Sequence, residues 1–140
     1  AITLDADLQH DPNYISEFIQ IDKDVDVVLG NRSFGKDMPF LRRVSNRITS
    51  FIVSFLTGKK VLDSQSGYRR YKLDTSSFSN CLEDGFQFES EILINDLRKK
   101  RSTLSHVSIP TLYGSEKSSI NNILDTYKFI KLILRKIIAR

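Results

Sequence analysis

The run Asp5-Ala6-Asp7-Leu8-Gln9 places two carboxylates and a side-chain amide at alternate positions. In an extended segment alternate side chains leave the same face, so the oxygens of Asp5, Asp7 and Gln9 converge on one point. An all-oxygen donor set suits Mg²⁺ or Mn²⁺ and not zinc or copper. A divalent ion held there with open positions can bridge a diphosphate and stabilise it as a leaving group. The plainer reading makes Asp5 and Asp7 turn formers, because Asp is a common turn residue and the motif is short. Asp11 ahead of Pro12 is read as a helix cap, and His10 as a surface or helix-entry histidine.

A second set of residues is suited to anions. Arg42 and Asn46 are four apart on one expected helix face, as are Arg43 and Arg47. An arginine with a small polar neighbour at that spacing can grip phosphate oxygens, the arginine bidentately. A solvated basic helix face is the competing reading. Downstream, Asp63-Ser64-Gln65-Ser66-Gly67 reads as a shaped loop, with Gly67 permitting a tight turn or a close backbone approach. Asp63 is read as a residue that structures this loop and positions arginines, with general base as the alternative.

These residues need a frame. Ile2-Thr3-Leu4 reads as a buried strand end that stops at Asp5. Asp11-Pro12 opens a helix with Tyr14, Ile15, Phe18 and Ile21 on its apolar face. Val25 to Leu29 reads as a strand closed by Gly30-Asn31. A loop from Ser33 to Met38 leads to a long helix from Pro39 to Thr57, ended by Gly58, with Val44, Ile48, Phe51, Ile52 and Phe55 as its inward stripe. A polar loop over 59–66 precedes a strand from Gly67 to Leu73 and a short helix from Asp74 to Leu82. A helix from Phe86 to Arg101 follows, with Phe88, Ile92, Leu93 and Leu97 inward. Thr103 to Tyr113 reads as a strand broken by Pro110, hence at an edge. A helix from Ile120 to Ala139 closes an α/β pattern that reads as starting mid-fold.

The composition agrees with one folded domain. The 140 residues are 40% hydrophobic and 27% charged, enough for a core and too charged for a membrane-spanning chain. The lone Cys81 excludes an internal disulfide framework and a cysteine-built zinc site, in keeping with a cytoplasmic setting. The net charge of +4 hides an asymmetry: residues 1–31 carry seven acids and one lysine, whereas residues 32–140 carry twenty Lys/Arg and ten acids. An acidic entry with a basic body fits a site holding a cation at one end and phosphates at the other. A basic nucleic-acid binder would share the net charge, but the acidic corner and the lack of an aromatic-basic motif argue against nucleic acid.

Thr3-Leu4-Asp5-Ala6-Asp7-Leu8-Gln9-His10-Asp11-Pro12 resembles the Asp-x-Asp segment of family-two glycosyltransferases of GT-A fold. The form is that of the dolichyl-phosphate mannose synthase and polyprenyl-phosphate glycosyltransferase branch. Gly30-Asn31-Arg32, Pro39 to Asn46, Asp63 to Arg69, and Ile109 to Ser118 resemble later segments of that branch in the same order. The resemblance implies the C-terminal portion of a Rossmann-like mixed sheet flanked by helices, as a single partial domain over 1–140 without the nucleoside-binding half. It implies that Asp5 lies by the donor diphosphate and that Asp7 and Gln9 hold the metal. It assigns Arg32, Arg42, Asn46 and Lys117 to the acceptor phosphate, and Asp63, Ser66 and Gly67 to the floor of the site. Asp7, Arg32 and Arg42 would carry catalysis.

The implied reaction is inverting transfer of a sugar from a GDP- or UDP-sugar to a polyprenyl phosphate, at the cytoplasmic face of a membrane. Many family-two enzymes with hydroxyl acceptors supply a base from a Glu-Asp pair at the head of the late helix. Phe86-Gln87-Phe88-Glu89-Ser90-Glu91 lacks that pair, with Glu91 near the expected place. A phosphate monoester has a second pKa near 6 and attacks without a base. The alternatives are a hydroxyl acceptor with Glu91 or Asp63 as base, and a non-catalytic transferase remnant. The final helix mixes basic and large apolar residues, as a helix lying on an anionic membrane does. Without the nucleoside-binding half, the 140 residues alone are expected to be inactive.

Overall fold

The computed structural model describes residues 1–6, 9–33, 40–110 and 122–138. Four strands form one mixed sheet: β1 (Ile2–Thr3), β2 (Val27–Arg32), β3 (Arg69–Tyr71) and β4 (Leu104–Ile109), in the order β1-β3-β2-β4. β3 is antiparallel to both β1 and β2, so those two run in the same direction, and β4 is parallel to β2. The C-terminal ends of β1, β2 and β4 and the start of β3 therefore share one edge of the sheet. That edge is where α/β sheets place their ligands.

The helices cover both faces. Asp11 accepts a hydrogen bond from the Asn13 backbone N–H at 2.9 Å and opens a 3₁₀ turn over Pro12–Tyr14 that runs into α1 (Ile15–Gln20). The Arg70 guanidinium closes α1 by donating to the carbonyls of Phe18, Ile21 and Asp22. Phe18, wholly buried, packs with Val28, Tyr68, Val107 and Ile109 on this face, a burial contributing about 1.5–3 kcal/mol. Val27 and Leu29 alternate to the opposite face and pack with α2 (Phe40–Thr57), α3 (Gly85–Leu97) and α4 (Asn122–Ile138). This is the α/β architecture expected from the sequence.

Several boundaries differ from expectation. β2 continues through Gly30 and Asn31 to Arg32 instead of closing at them. Gly30 is a packing glycine: a Cβ there would lie 2.8 Å from Ile109 Cδ1 and 3.0 Å from the Tyr68 carbonyl. β3 has only three residues, and two 3₁₀ turns, Leu73–Thr75 and Phe78–Asn80, replace the expected short helix. α3 stops at Leu97, short of the predicted end at Arg101. β4 lies at an edge and ends before Pro110, as its missing N–H requires.

The largest departure concerns α2. Its length and its end at Gly58, with φ of +67°, follow the sequence. Its orientation does not. Phe51 and Phe55 are 71% and 75% exposed, and Val44 and Ile48 also face outward; of the expected stripe only Ile52 is packed. The helix instead buries Asn46, Ser50 and Val53. Its polar side is matched to the following loop: Ser50 Oγ accepts from the Ser64 N–H at 2.9 Å, and Ser54 Oγ from the Val61 N–H at 2.9 Å. Buried polar backbone must find partners, and here α2 supplies them.

Candidate active site

Asp5 lies two residues beyond β1 and stands over Gly67, just ahead of β3. A Cβ on Gly67 would fall well inside contact distance of the whole Asp5 carboxyl group, so only glycine leaves room for it. Thr3 Oγ1 donates to the Gly67 carbonyl at 3.1 Å and holds the two segments together. The Asp5 backbone N–H donates to Nδ1 of His10 at 3.2 Å. That nitrogen therefore carries a lone pair, so its 3.7 Å approach to the Asp5 carboxylate is not an ion pair. His10 stands at the helix entry, just ahead of the Asp11 cap, but is buried and not at the surface, and its ring lies 5.3 Å from that of Tyr68. Tyr68 in turn stacks on Phe18. Gln9 is half-buried. Asp7 lies outside the described residues.

The second group lies at the C-terminal end of β2. Arg32 donates from Nε to Asp63 Oδ2 at 2.7 Å and from Nη2 to Oδ1 at 3.0 Å. Asn46 Nδ2 donates to the same Oδ1 at 2.9 Å, and the Gln65 N–H at 3.2 Å. Asp63 is fully buried. Burial alone would raise its carboxyl, but the bonds and charge of Arg32, with Asn46 assisting, hold it below the ordinary value of 3.8. Asp63 is thus an anchored acceptor for Arg32 and Asn46, ill suited to take up a proton. Arg42 is exposed one turn ahead of Asn46 on α2. The Nε of Arg43 is buried with no hydrogen-bond partner among the described residues. Lys117 lies outside the described residues, as do Pro39 and the segment 111–121.

Between these groups runs Arg69, whose role its sequence position does not disclose. Fully buried charge is rare unless paired. Its guanidinium donates to the carbonyls of Ser64, Ser66 and Glu89 and to the Tyr71 hydroxyl, and lies 3.2 Å from the Glu89 carboxylate. One cation therefore fixes the 64–66 loop to the first turns of α3. Burial pushes the Glu89 carboxyl up, Arg69 opposes this, and the negative charge of Asp5 adds to the rise. Glu89, not Glu91, is the α3 acid on the Asp5 side. The expectation that Glu91 stands near a base position is corrected by its surroundings. It is fully buried, accepts from the N–H groups of Leu82 and Glu83 at 2.8 Å each, and is gripped by Arg135 and Lys136 of α4 at 2.7 and 2.8 Å. Burial would raise its carboxyl, but Lys136 and those N–H groups hold it low. Glu91 is the seventh residue of α3, beyond the first turn, and a helix acid is ordinarily solvated, so nothing in the sequence signals this burial.

Asp5, next to β1, and Arg32, ending β2, thus lie at the same edge of the sheet with β3 between them. Among the described residues no cluster of three or more His, Cys, Asp or Glu is gathered to hold a metal. The partly exposed carboxylate of Asp5 and the amide of Gln9 are nevertheless hard oxygen donors, which fit Mg²⁺ or Mn²⁺.

No family model matches the chain. It is 31% identical over 147 aligned positions to an uncharacterized protein of Methanocaldococcus jannaschii, an alignment covering 97% of this chain and 60% of that protein. It is 32% identical over 146 positions to the UDP-N-acetylglucosamine–dolichyl-phosphate N-acetylglucosaminyltransferase of Methanococcus voltae, covering 97% of this chain and 58% of that enzyme. The chain spans about three fifths of the length of these relatives. Over nearly all of its own length, it is similar to a glycosyltransferase.

Proposed function

We propose that this chain is the acceptor-side part of a metal-dependent family-two glycosyltransferase that moves a sugar, with inversion, from a nucleotide-diphosphate sugar to a polyprenyl phosphate. The observation that carries the reading is the pairing of the Asp5 corner with the Arg32 corner at one edge of the sheet, an acidic and a basic group kept apart by one strand. The similarity to a dolichyl-phosphate transferase supports the same reading.

In this reading Asp5, Asp7 and Gln9 hold Mg²⁺ or Mn²⁺, which when bound neutralises the donor diphosphate as it departs. Arg32, fixed by Asp63, and Arg42, reaching from α2, orient the acceptor phosphate, with Lys117 approaching it from the late loop. Asn46 meets Asp63 first and so acts on the phosphate through the shape of the Arg32 pocket. A phosphate with a second pKa near 6 is largely dianionic at neutral pH and attacks without a base. Both acids considered as bases for a hydroxyl acceptor, Asp63 and Glu91, are consumed by buried networks, which favours the phosphate acceptor.

A lipid-linked acceptor implies a membrane surface. No helix among the described residues is long and apolar enough to cross a membrane. α2 does present Leu41, Val44, Ile48, Phe51 and Phe55 outward along one face, with Arg42 and Arg47 also exposed. α4 exposes Tyr127, Ile130 and Leu134 with Lys131. Such faces can enter the headgroup region while their basic residues meet anionic lipid.

The test is transfer by the full-length protein from UDP-N-acetylglucosamine, other UDP-sugars and GDP-sugars to dolichyl or undecaprenyl phosphate, with and without Mn²⁺. Product formation that requires metal and falls in Asp7→Ala and Arg42→Ala supports the reading. Transfer to a saccharide hydroxyl but not to a polyprenyl phosphate would replace it with the hydroxyl-acceptor alternative, in which Glu89 is the acid left to serve as base.

A further inference from the structure

His10 is the buried group nearest the metal corner to which neither the sequence nor the similarity assigns a task. Its Nδ1 accepts the Asp5 backbone N–H at 3.2 Å. Its ring is held against Tyr68, which is locked by stacking on Phe18 and by a hydroxyl bond to the Asp11 carbonyl at 3.4 Å. The imidazole is thus clamped on the helix side while it grips the chain on the strand side. Asp5 is fixed at two further points, through β1 and over the cradle left by Gly67.

We propose that His10 is a positioning residue for Asp5, holding its backbone N–H so that the Asp5 carboxylate is presented as a preformed oxygen donor for a divalent cation. The inference rests on the metal-dependent reading above. The physical ground is that Asp5 lies beyond the last paired residue of β1 and has no ladder to define its backbone. A single buried acceptor that satisfies the Asp5 N–H sets the direction in which the chain leaves the strand. Partners behind metal ligands are known to change metal affinity by about 10–100-fold when removed.

The atom responsible can be identified by substitution in the full-length protein, with Mn²⁺ binding read from the loss of the free-ion EPR signal. Asparagine can set its Oδ1 near the place of Nδ1, whereas glutamine reaches toward the place of Nε2. Phenylalanine keeps the ring against Tyr68 and removes the acceptor. The Mn²⁺ dissociation constant is expected to rise about tenfold or more in His10→Phe and His10→Gln and to stay within about threefold of wild type in His10→Asn. In transfer assays the same variants should raise the Mn²⁺ concentration for half-maximal rate while leaving the rate at saturating Mn²⁺ largely intact. If asparagine and glutamine weaken binding equally, the acceptor atom is not the cause and the proposal is overturned, even if His10→Phe fails to fold. If Asp5→Ala and Asp7→Ala weaken Mn²⁺ binding but His10→Phe does not, the proposal falls and the function stands. If neither aspartate variant affects Mn²⁺ binding, the metal reading fails and this inference with it.

Discussion

Arg32 meets Asp63 side-on, with Nε and Nη2 each donating to a different carboxylate oxygen, across the space between β2 and the loop after α2. The carboxylate is fully buried while the guanidinium keeps a modest exposure of 17%. Geometry of this kind fixes the plane of the guanidinium and leaves its remaining N–H edge a defined direction. Removing the acid would leave a charged donor group without its acceptor and would also release Asn46 and the Gln65 N–H. Asp63→Ala is therefore expected to cost about 3–5 kcal/mol, the range for breaking one side of a buried ion pair. Chemical denaturation of the two proteins at pH 7 measures it, and a loss below 1 kcal/mol would show that water replaces the carboxylate.

The same acid predicts a pH dependence. Its value in the folded protein lies below the ordinary 3.8. A depressed folded value means that the stabilisation is fully present above the unfolded value, near 4, and drains as pH falls through the folded one. Denaturation midpoints should therefore change little from pH 7 to 5 and fall below about pH 4. Glu91, also held low, contributes in the same direction. In Asp63→Asn the acid-side fall should be shallower than in the parent, and an unchanged slope would remove Asp63 from the effect.

Gly67→Ala separates function from stability. No positive φ holds this glycine in a left-handed conformation, so alanine suits its backbone. What an added methyl meets is the Asp5 carboxyl group, a partly exposed side chain able to swing away. The melting temperature should hardly move, while Mn²⁺ affinity and transfer fall about tenfold or more as Asp5 is displaced. A large drop in melting temperature would mean that the backbone, not Asp5, yields.

The outward face of α2 predicts membrane association that can be removed without touching the core. Phe51→Asp and Phe55→Asp change side chains that are mostly solvent-exposed, so the fold should be unaffected. Each phenylalanine leaving water contributes about 1.5–3 kcal/mol at full burial. The double variant should therefore lose sedimentation with vesicles containing anionic lipid, and should slow with lipid-embedded acceptor more than with a short soluble polyprenyl phosphate. Unchanged sedimentation would assign the face elsewhere.

The α1 helix was legible because Asp11-Pro12 is a local cap signal, and the end of α2 because Gly58 takes a left-handed conformation. The orientation of α2 was not. Periodicity finds an apolar stripe, but the side of a helix that meets the core depends on what else needs covering. Here the loop over 61–66 carries backbone groups that require hydroxyl and amide partners, and Ser50, Ser54 and Asn46 provide them. Gly30 misled for a related reason, since glycine serves a close approach within a strand as readily as a turn. Asp5 stands out by type and spacing, and Arg32 and Asp63 through the segments that resemble family-two glycosyltransferases. The supports behind them, His10, Arg69 and Glu89, do not, because their roles arise from contacts between segments distant in the chain.

β3 is three residues long, yet it sets the scale of the site. Because it is inserted between β1 and β2, the strands leading to Asp5 and Arg32 run two strand spacings apart, about 9.5 Å. At that separation the Asp5 carboxylate and the Arg32 guanidinium do not pair with each other; Arg32 pairs with Asp63 instead. The sheet thus works as a ruler: a cation gathered on one side and an anion on the other can communicate only through a molecule that lies across β3.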